Sequence, residues 1–151
     1  MSFSVTDRTQ RLRTSGLRVT AARLAVLAAL DEFPHSTAKA VTETVRTGLG
    51  HISTQAVYDV LTACESSGLV RRIEPPGSPA RYETRTGDNH HHLLCSRCGR
   101  VADVDCVVGH QPCLTPSDYQ GFRVETAQVL FIGTCPECLE TDAQPDVKRG
   151  N

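Results

Sequence analysis

Two Cys-x-x-Cys pairs, Cys95-x-x-Cys98 and Cys135-x-x-Cys138, constrain the second half of this chain more than any other feature. A turn of this spacing lets two thiolates bind one ion at about 2.3 Å, and two such turns complete a closed tetrahedral zinc site. A closed site leaves no position for a substrate, so its role is structural. It staples a small sheet whose core is too thin to hold alone. The competing reading, a redox dithiol, needs a βαβ setting. The stretches HHLLC, GRVADVD and GFRVETAQVLFIGTC read instead as strands.

The remaining bounds agree with an intracellular metal protein. At 151 residues the chain suits one domain or two small ones. The N-terminus, MSFSVTDRTQRLR, is too polar for a signal peptide. The longest apolar run, LAVLAAL, falls far short of the roughly 20 residues that cross a bilayer. A cytoplasmic location is therefore expected, where seven cysteines point to metal or redox chemistry and not to a disulfide framework. Residues 1–85 carry 11 Lys and Arg against 8 Asp and Glu, whereas residues 86–151 carry 5 against 9. That asymmetry suggests two domains, the first facing an anionic partner.

The first half reads as helices. RTQRLRTSG, residues 8–16, is a short polar helix closed by Gly16, and Thr20 caps a second that runs to about Asp31 before Pro34. Ser36 is expected to cap a third, with Ala38, Val41, Val45 and Leu49 on its buried face ahead of Gly50. A fourth begins at Ser53. Its stripe is Val57, Val60, Leu61 and Cys64, and Gly68 stands where a helix end requires φ > 0. Cys64 on that stripe reads as a small core residue. LVRRIE and ARYE flank the turn PPGSP and predict a hairpin. Helices followed by such a hairpin are the pattern of a winged helix-turn-helix, so the fold class is α+β. The fourth helix would then turn Ser53, Thr54, Gln55, Tyr58 and Asp59 toward a DNA major groove.

Further candidate ligands lie outside the cysteine pairs. On an extended strand His90 and His92 share a face, with His91 on the other, and Asp103 follows on the next strand. Glu83 ends the hairpin and His35 opens the third helix. A set of imidazoles and carboxylates without thiolate suits ferrous iron or manganese better than a zinc cage. Taken by itself, His35 reads as an ordinary polar residue. Cys106 and Cys113, in the loop CVVGHQPCLTPSDYQ, admit two readings: a redox pair, or small buried residues.

These residues together resemble the ferric uptake regulator (Fur) family. GLRVTAAR, STQAVYDVL, SGLV, ARYE, HHHLLCSRCG and GTCPEC fall in that family's order and at its spacings, over almost the whole chain. Within the family the chain looks most like the actinobacterial peroxide-responsive repressors of the FurA/CatR type. The resemblance implies a homodimeric, metal-dependent repressor on a pseudo-palindromic double-stranded operator, controlling catalase and oxidative-stress genes. It implies a winged-helix DNA-binding domain over 1–84, a hinge at 85–89, a small α/β metal-binding dimerisation domain over 90–140, and a disordered tail over 141–151.

Carried over by position, the resemblance places structural zinc on Cys95, Cys98, Cys135 and Cys138. It places a regulatory Fe(II) or Mn(II) ion on His35, Glu83, His90, His92 and Asp103. DNA contacts fall on Arg18, Thr54, Gln55 and Tyr58. This chain departs from the family pattern at Asp59, where many members carry Arg or Asn, and at Glu83, where known peroxide sensors carry aspartate. Ala127 and Gln128 stand where some relatives place a further histidine ligand, which leaves His91 and His110 an incomplete set. The alternative functions are an iron- or zinc-uptake regulator of the same fold, or a metal-dependent hydrolase. For the latter no HExxH, nucleophile elbow or phosphate loop appears, so the chain is not expected to be an enzyme.

Overall fold

A computed structural model describes residues 3–143, and the chain divides into two units between Gly87 and Asp88. In the first unit α1 spans Val5–Thr14. It starts earlier than expected because Ser4 forms a capping box: its hydroxyl accepts from the Asp7 N–H at 3.1 Å, while its own N–H donates to the Asp7 carboxylate at 3.0 Å. Helix α2 spans Ala21–Glu32, with the Thr20 hydroxyl capping the Arg23 N–H. A two-residue strand, β1, Ser36–Thr37, leads into α3, Ala38–Leu49. The cap of α3 is Thr37, not Ser36 as expected. Ser36 has another task, donating to the Phe33 carbonyl at 2.7 Å.

Helix α4 spans Thr54–Ser66, with Ser53 as its cap. Val57, Val60, Leu61 and Cys64 are buried along one stripe and pack with Leu12, Leu27, Leu30, Val41 and Val45 in a single core. Each such buried aliphatic side chain is worth roughly 1.5–3 kcal/mol against exposure. Leu49, expected on the buried face of α3, is instead 40% exposed at the helix end; Thr42 takes an inward position, its hydroxyl donating back to the Ala38 carbonyl. The end of α4 is a Schellman turn. The Gly68 N–H donates to the Glu65 carbonyl and the Leu69 N–H to the Cys64 carbonyl, with Gly68 at φ 73°.

The hairpin follows. Strand β2, Arg71–Ile73, pairs antiparallel with β3, Arg81–Glu83, and β1 pairs with the other edge of β3. Four helices packed around one core, with this small sheet after α4, make the first unit a winged helix-turn-helix.

In the second unit β4, His90–Cys95, is the central strand of three. It runs antiparallel to β5, Val101–Asp105, and parallel to β6, Leu130–Gly133. The expected strand over GFRVETAQVLFIGTC is therefore only partly formed. Residues 121–129 have no regular structure, because the ladder with β4 begins at the His92–Leu130 pair and a β-prone sequence without a partner strand is not held extended. Helix α5, Pro136–Ala143, is absent from the sequence reading. Pro136 in its first position and Glu137 in its first turn favour a helix start there. Residues 141–143, expected in a disordered tail, continue this helix, and the rest of that stretch lies outside the described residues. Among the described residues no helix is long and apolar enough to cross a membrane.

Candidate metal centres and nucleic-acid face

The cysteine cage forms where β4 ends and α5 begins. Cys95 closes β4, and a tight turn with Gly99 at φ 74° brings Cys98 back beside it. Gly133 of β6 anchors the turn by accepting from the Ser96 N–H at 2.8 Å, and the chain then delivers Cys135 and Cys138. All four sulfurs lie within 4.8 Å of one another, with Cys95 to Cys138 at 3.9 Å and Cys98 to Cys135 at 3.6 Å. A tetrahedral ion at 2.3 Å from each sulfur sets sulfur–sulfur edges of about 3.8 Å, so the spacing fits zinc and not a pair of disulfides.

Hydrogen bonding divides these sulfurs. The Cys98 backbone N–H, then that of Cys135, hold the Cys95 thiol down at about 6, while the adjoining Cys135 thiol pushes Cys138 up to about 12. Four adjacent thiolates repel one another, and a dication at their centre is what lets all of them ionise together. An ion pair between Arg100 and Glu137 ties the strand side of the cage to the helix side.

On one face of the β4–β5 pair sits a nitrogen and oxygen donor group. His92 is opposite Asp103 in register, and the Asp103 carboxylate oxygen lies 3.5 Å from His92 Nε2 and 3.8 Å from His90 Nε2. Both imidazoles are buried and meet edge to face at 5.0 Å. Asp88, which the sequence reading missed, lies 2.7 Å from His90 Nδ1. A carboxylate that accepts an Nδ1–H turns the Nε2 lone pair outward, the arrangement that orients a ligating histidine. Its only sequence signal is its position two residues ahead of His90.

In the first unit His35 Nε2 lies 3.0 Å from Glu83 Oε2, and both side chains are buried. His35 adopts φ 61°, an uncommon conformation for a residue with a β-carbon, and its carbonyl accepts from Arg81 Nη1 at 3.2 Å. Backbone strain of this kind concentrates at functional positions. His35 and Glu83 thus form one pair, and His90, His92 and Asp103 another group, each within its own unit.

The outward face of α4 carries Thr54, Gln55, Tyr58 and Asp59, all exposed, with Tyr58 at 45%. Asp59 accepts from Gln55 Nε2 at 2.8 Å and so holds the glutamine amide in place. The Ser53 hydroxyl is engaged as a cap, accepting from the Ala56 N–H. Arg18 is exposed ahead of α2, its carbonyl accepting from Arg23 Nη1 at 2.7 Å. In the second unit Cys106 and Cys113 are half-buried and lie together with His91. The side chain of His110 is exposed; its backbone carbonyl accepts from Asn89 Nδ2 at 2.7 Å.

A winged helix with an exposed polar recognition helix, followed by a unit with a thiolate cage and a separate imidazole–carboxylate group, defines a class of DNA-binding metalloregulator. The profile of the ferric uptake regulator family matches residues 14–130. The chain is 52% identical over 139 residues to the transcriptional regulator FurA of Mycobacterium tuberculosis, covering 92% of this chain and 95% of that one. It is 28% identical over 135 residues to the peroxide operon regulator of Bacillus subtilis, covering 85% and 90%. The crystal structure of the Vibrio cholerae ferric uptake regulator superposes with a TM-score of 0.68 at 29% identity, over 85% of this chain and all of that one. The chain belongs to the ferric uptake regulator family.

Proposed function

We propose that this protein is a homodimeric, metal-dependent transcriptional repressor, not an enzyme, that senses peroxide through a regulatory iron and controls catalase and other oxidative-stress genes. Cys95, Cys98, Cys135 and Cys138 hold structural zinc. His90, His92 and Asp103, together with His35 and Glu83, supply the donors for Fe(II) or Mn(II). Arg18, Thr54, Gln55 and Tyr58 contact a pseudo-palindromic operator.

The observation that carries this reading is the separation of donor types. Four sulfur donors form one closed cage, whereas His90 and His92 turn their Nε2 atoms toward the Asp103 carboxylate and no thiolate. Nitrogen and oxygen ligands suit iron and manganese. The similarity to a peroxide operon regulator supports the peroxide branch. Dimer formation is supported by Phe131 and Ile132 on edge strand β6, which are 49% and 58% exposed, and by half-exposed Leu93 beside them. A two-fold dimer presents two identical recognition helices, hence the paired half-sites.

Bound ferrous iron would supply the electrons that reduce hydrogen peroxide, and its ligands His35, His90 and His92 would be the side chains that are oxidised. The test is operator binding by the iron and manganese forms before and after brief peroxide treatment, followed by peptide mass spectrometry. The expected result is release of the iron form alone, with one oxygen added to His35 or His90. Equal release of the manganese form, accompanied by a Cys106–Cys113 disulfide, would assign sensing to the thiols. Retention of both forms after peroxide would favour the second reading, a regulator of metal uptake.

A further inference from the structure

A third donor cluster lies outside both groups described above. His91 of β4 and Cys106 and Cys113 of the long loop after β5 each offer one ligand atom, and these atoms lie within 4.8 Å of one another. Cys113 Sγ is 3.4 Å from His91 Nε2. Side chains alternate along a strand, so His91 points to the face opposite His90 and His92. The cluster shares no residue with either of the other two sites.

The Cys106 sulfur is built like that of a metal-binding turn. The N–H groups of Val108 and Gly109, two and three residues on, are directed at it. The same arrangement occurs in the cage, where the N–H groups of Arg97 and Cys98, two and three residues past Cys95, are directed at the Cys95 sulfur. Burial pushes the Cys106 thiol upward, but those two N–H groups, with Cys113, more than offset it and leave the thiol below its ordinary value. Backbone dipoles aimed at sulfur favour the thiolate, which is the form that binds metal. Gly109 takes the left-handed conformation, φ 76°, as the turn closes.

We propose that His91, Cys106 and Cys113 form a third metal site, taking Zn(II) through two thiolates and one imidazole, with water in the fourth position. Soft sulfur donors select zinc over ferrous iron and manganese, so the site does not compete for the regulatory ion. Occupancy pins the irregular loop that begins at Cys106 to β4. That strand carries His90 and His92 on its other face. The proposal does not depend on the peroxide reading, because its ligands and its readout are separate from those of the regulatory group.

Cobalt replaces zinc in such sites and gives an intense near-ultraviolet sulfur-to-metal charge-transfer band only when thiolate is bound. The full-length, reduced protein with its structural zinc in place is titrated with Co(II) under anaerobic conditions, with released zinc measured by a chelating dye. The expected result is a charge-transfer band that saturates at a single equivalent without zinc release. Cys106→Ser and Cys113→Ser should abolish the band while keeping structural zinc and the far-ultraviolet dichroism. His91→Gln, which keeps both thiols, should shift the visible cobalt spectrum, and it gives an independent readout if a serine variant fails to fold. No band in the reduced wild type overturns the proposal. A band that grows only as zinc is released overturns it too, because the cobalt is then in the four-cysteine cage. So does a Cys106–Cys113 disulfide in protein kept reduced throughout.

Discussion

Asp103 lies directly across the β4–β5 ladder from His92, its carboxylate oxygen 3.5 Å from His92 Nε2. The pair joins two neighbouring strands, so each residue fixes the other's direction. On the reading proposed above, both are ligands and not merely an ion pair. His92→Ala and Asp103→Ala should therefore give folded proteins that retain structural zinc but bind operator no more tightly when iron or manganese is added. Metal-stimulated binding at the wild-type level, measured by anisotropy, would remove these residues from the regulatory site.

Removal of zinc should act on the second unit first. Cys138→Ser is expected to lose the structural zinc, measurable as metal per chain, along with the β4–β6 pairing and the dimer. Protons compete with the ion for thiolate, so affinity falls as pH falls. At a fixed chelator concentration, zinc should be extracted more completely at about pH 5.5 than at about pH 7.5. Extraction that did not change with pH would mean the ion is not held by thiolates.

The turn after α4 offers a test confined to stability. Gly68 has φ 73°, and a β-carbon added there would meet no other atom within 4 Å. Gly68→Ala should therefore cost only the left-handed backbone penalty, about 1–2 kcal/mol. The chemical denaturation midpoint should fall while its slope is unchanged. No shift would show that the turn relaxes to another conformation without penalty.

Specific and general DNA contacts should separate by salt. Tyr58→Ala is expected to weaken operator binding about tenfold, roughly 1.4 kcal/mol. Arg18→Ala should weaken binding to any sequence and lower the salt slope by about 1 if it meets phosphate. Unchanged affinity for both variants would place the DNA interface elsewhere.

The elements of the first unit were legible because each is announced locally. Thr20 and Ser53 are caps, Val57 to Cys64 form a helical stripe, and Gly68 ends a helix. Errors arose where one residue had a competing partner: Ser36 bonds back to Phe33, leaving the cap to Thr37. In the second unit the cysteine cage was readable from spacing alone, since two short motifs define it. The extent of β6 was not, because a strand is as long as its partner allows and the partner, β4, is set by long-range register. Asp88 was missed for a related reason. A carboxylate that orients a histidine has no spacing rule of its own and becomes visible only when the 2.7 Å contact is seen. The cluster of His91 with Cys106 and Cys113 depends on a loop folding back on a strand, which no local pattern announces.

The burial pattern of the second unit has a calorimetric consequence. Among the described residues there, Leu94 and Val101 are the only buried aliphatic side chains, whereas the large core lies entirely in the first unit. The heat capacity of unfolding follows the apolar surface newly wetted, so melting of this unit within a single chain contributes little to it. On the zinc assignment proposed above, its stability is carried instead as metal affinity and should rise with the logarithm of free zinc. The zinc activity of the surroundings would then help set how much of the protein has an intact second unit.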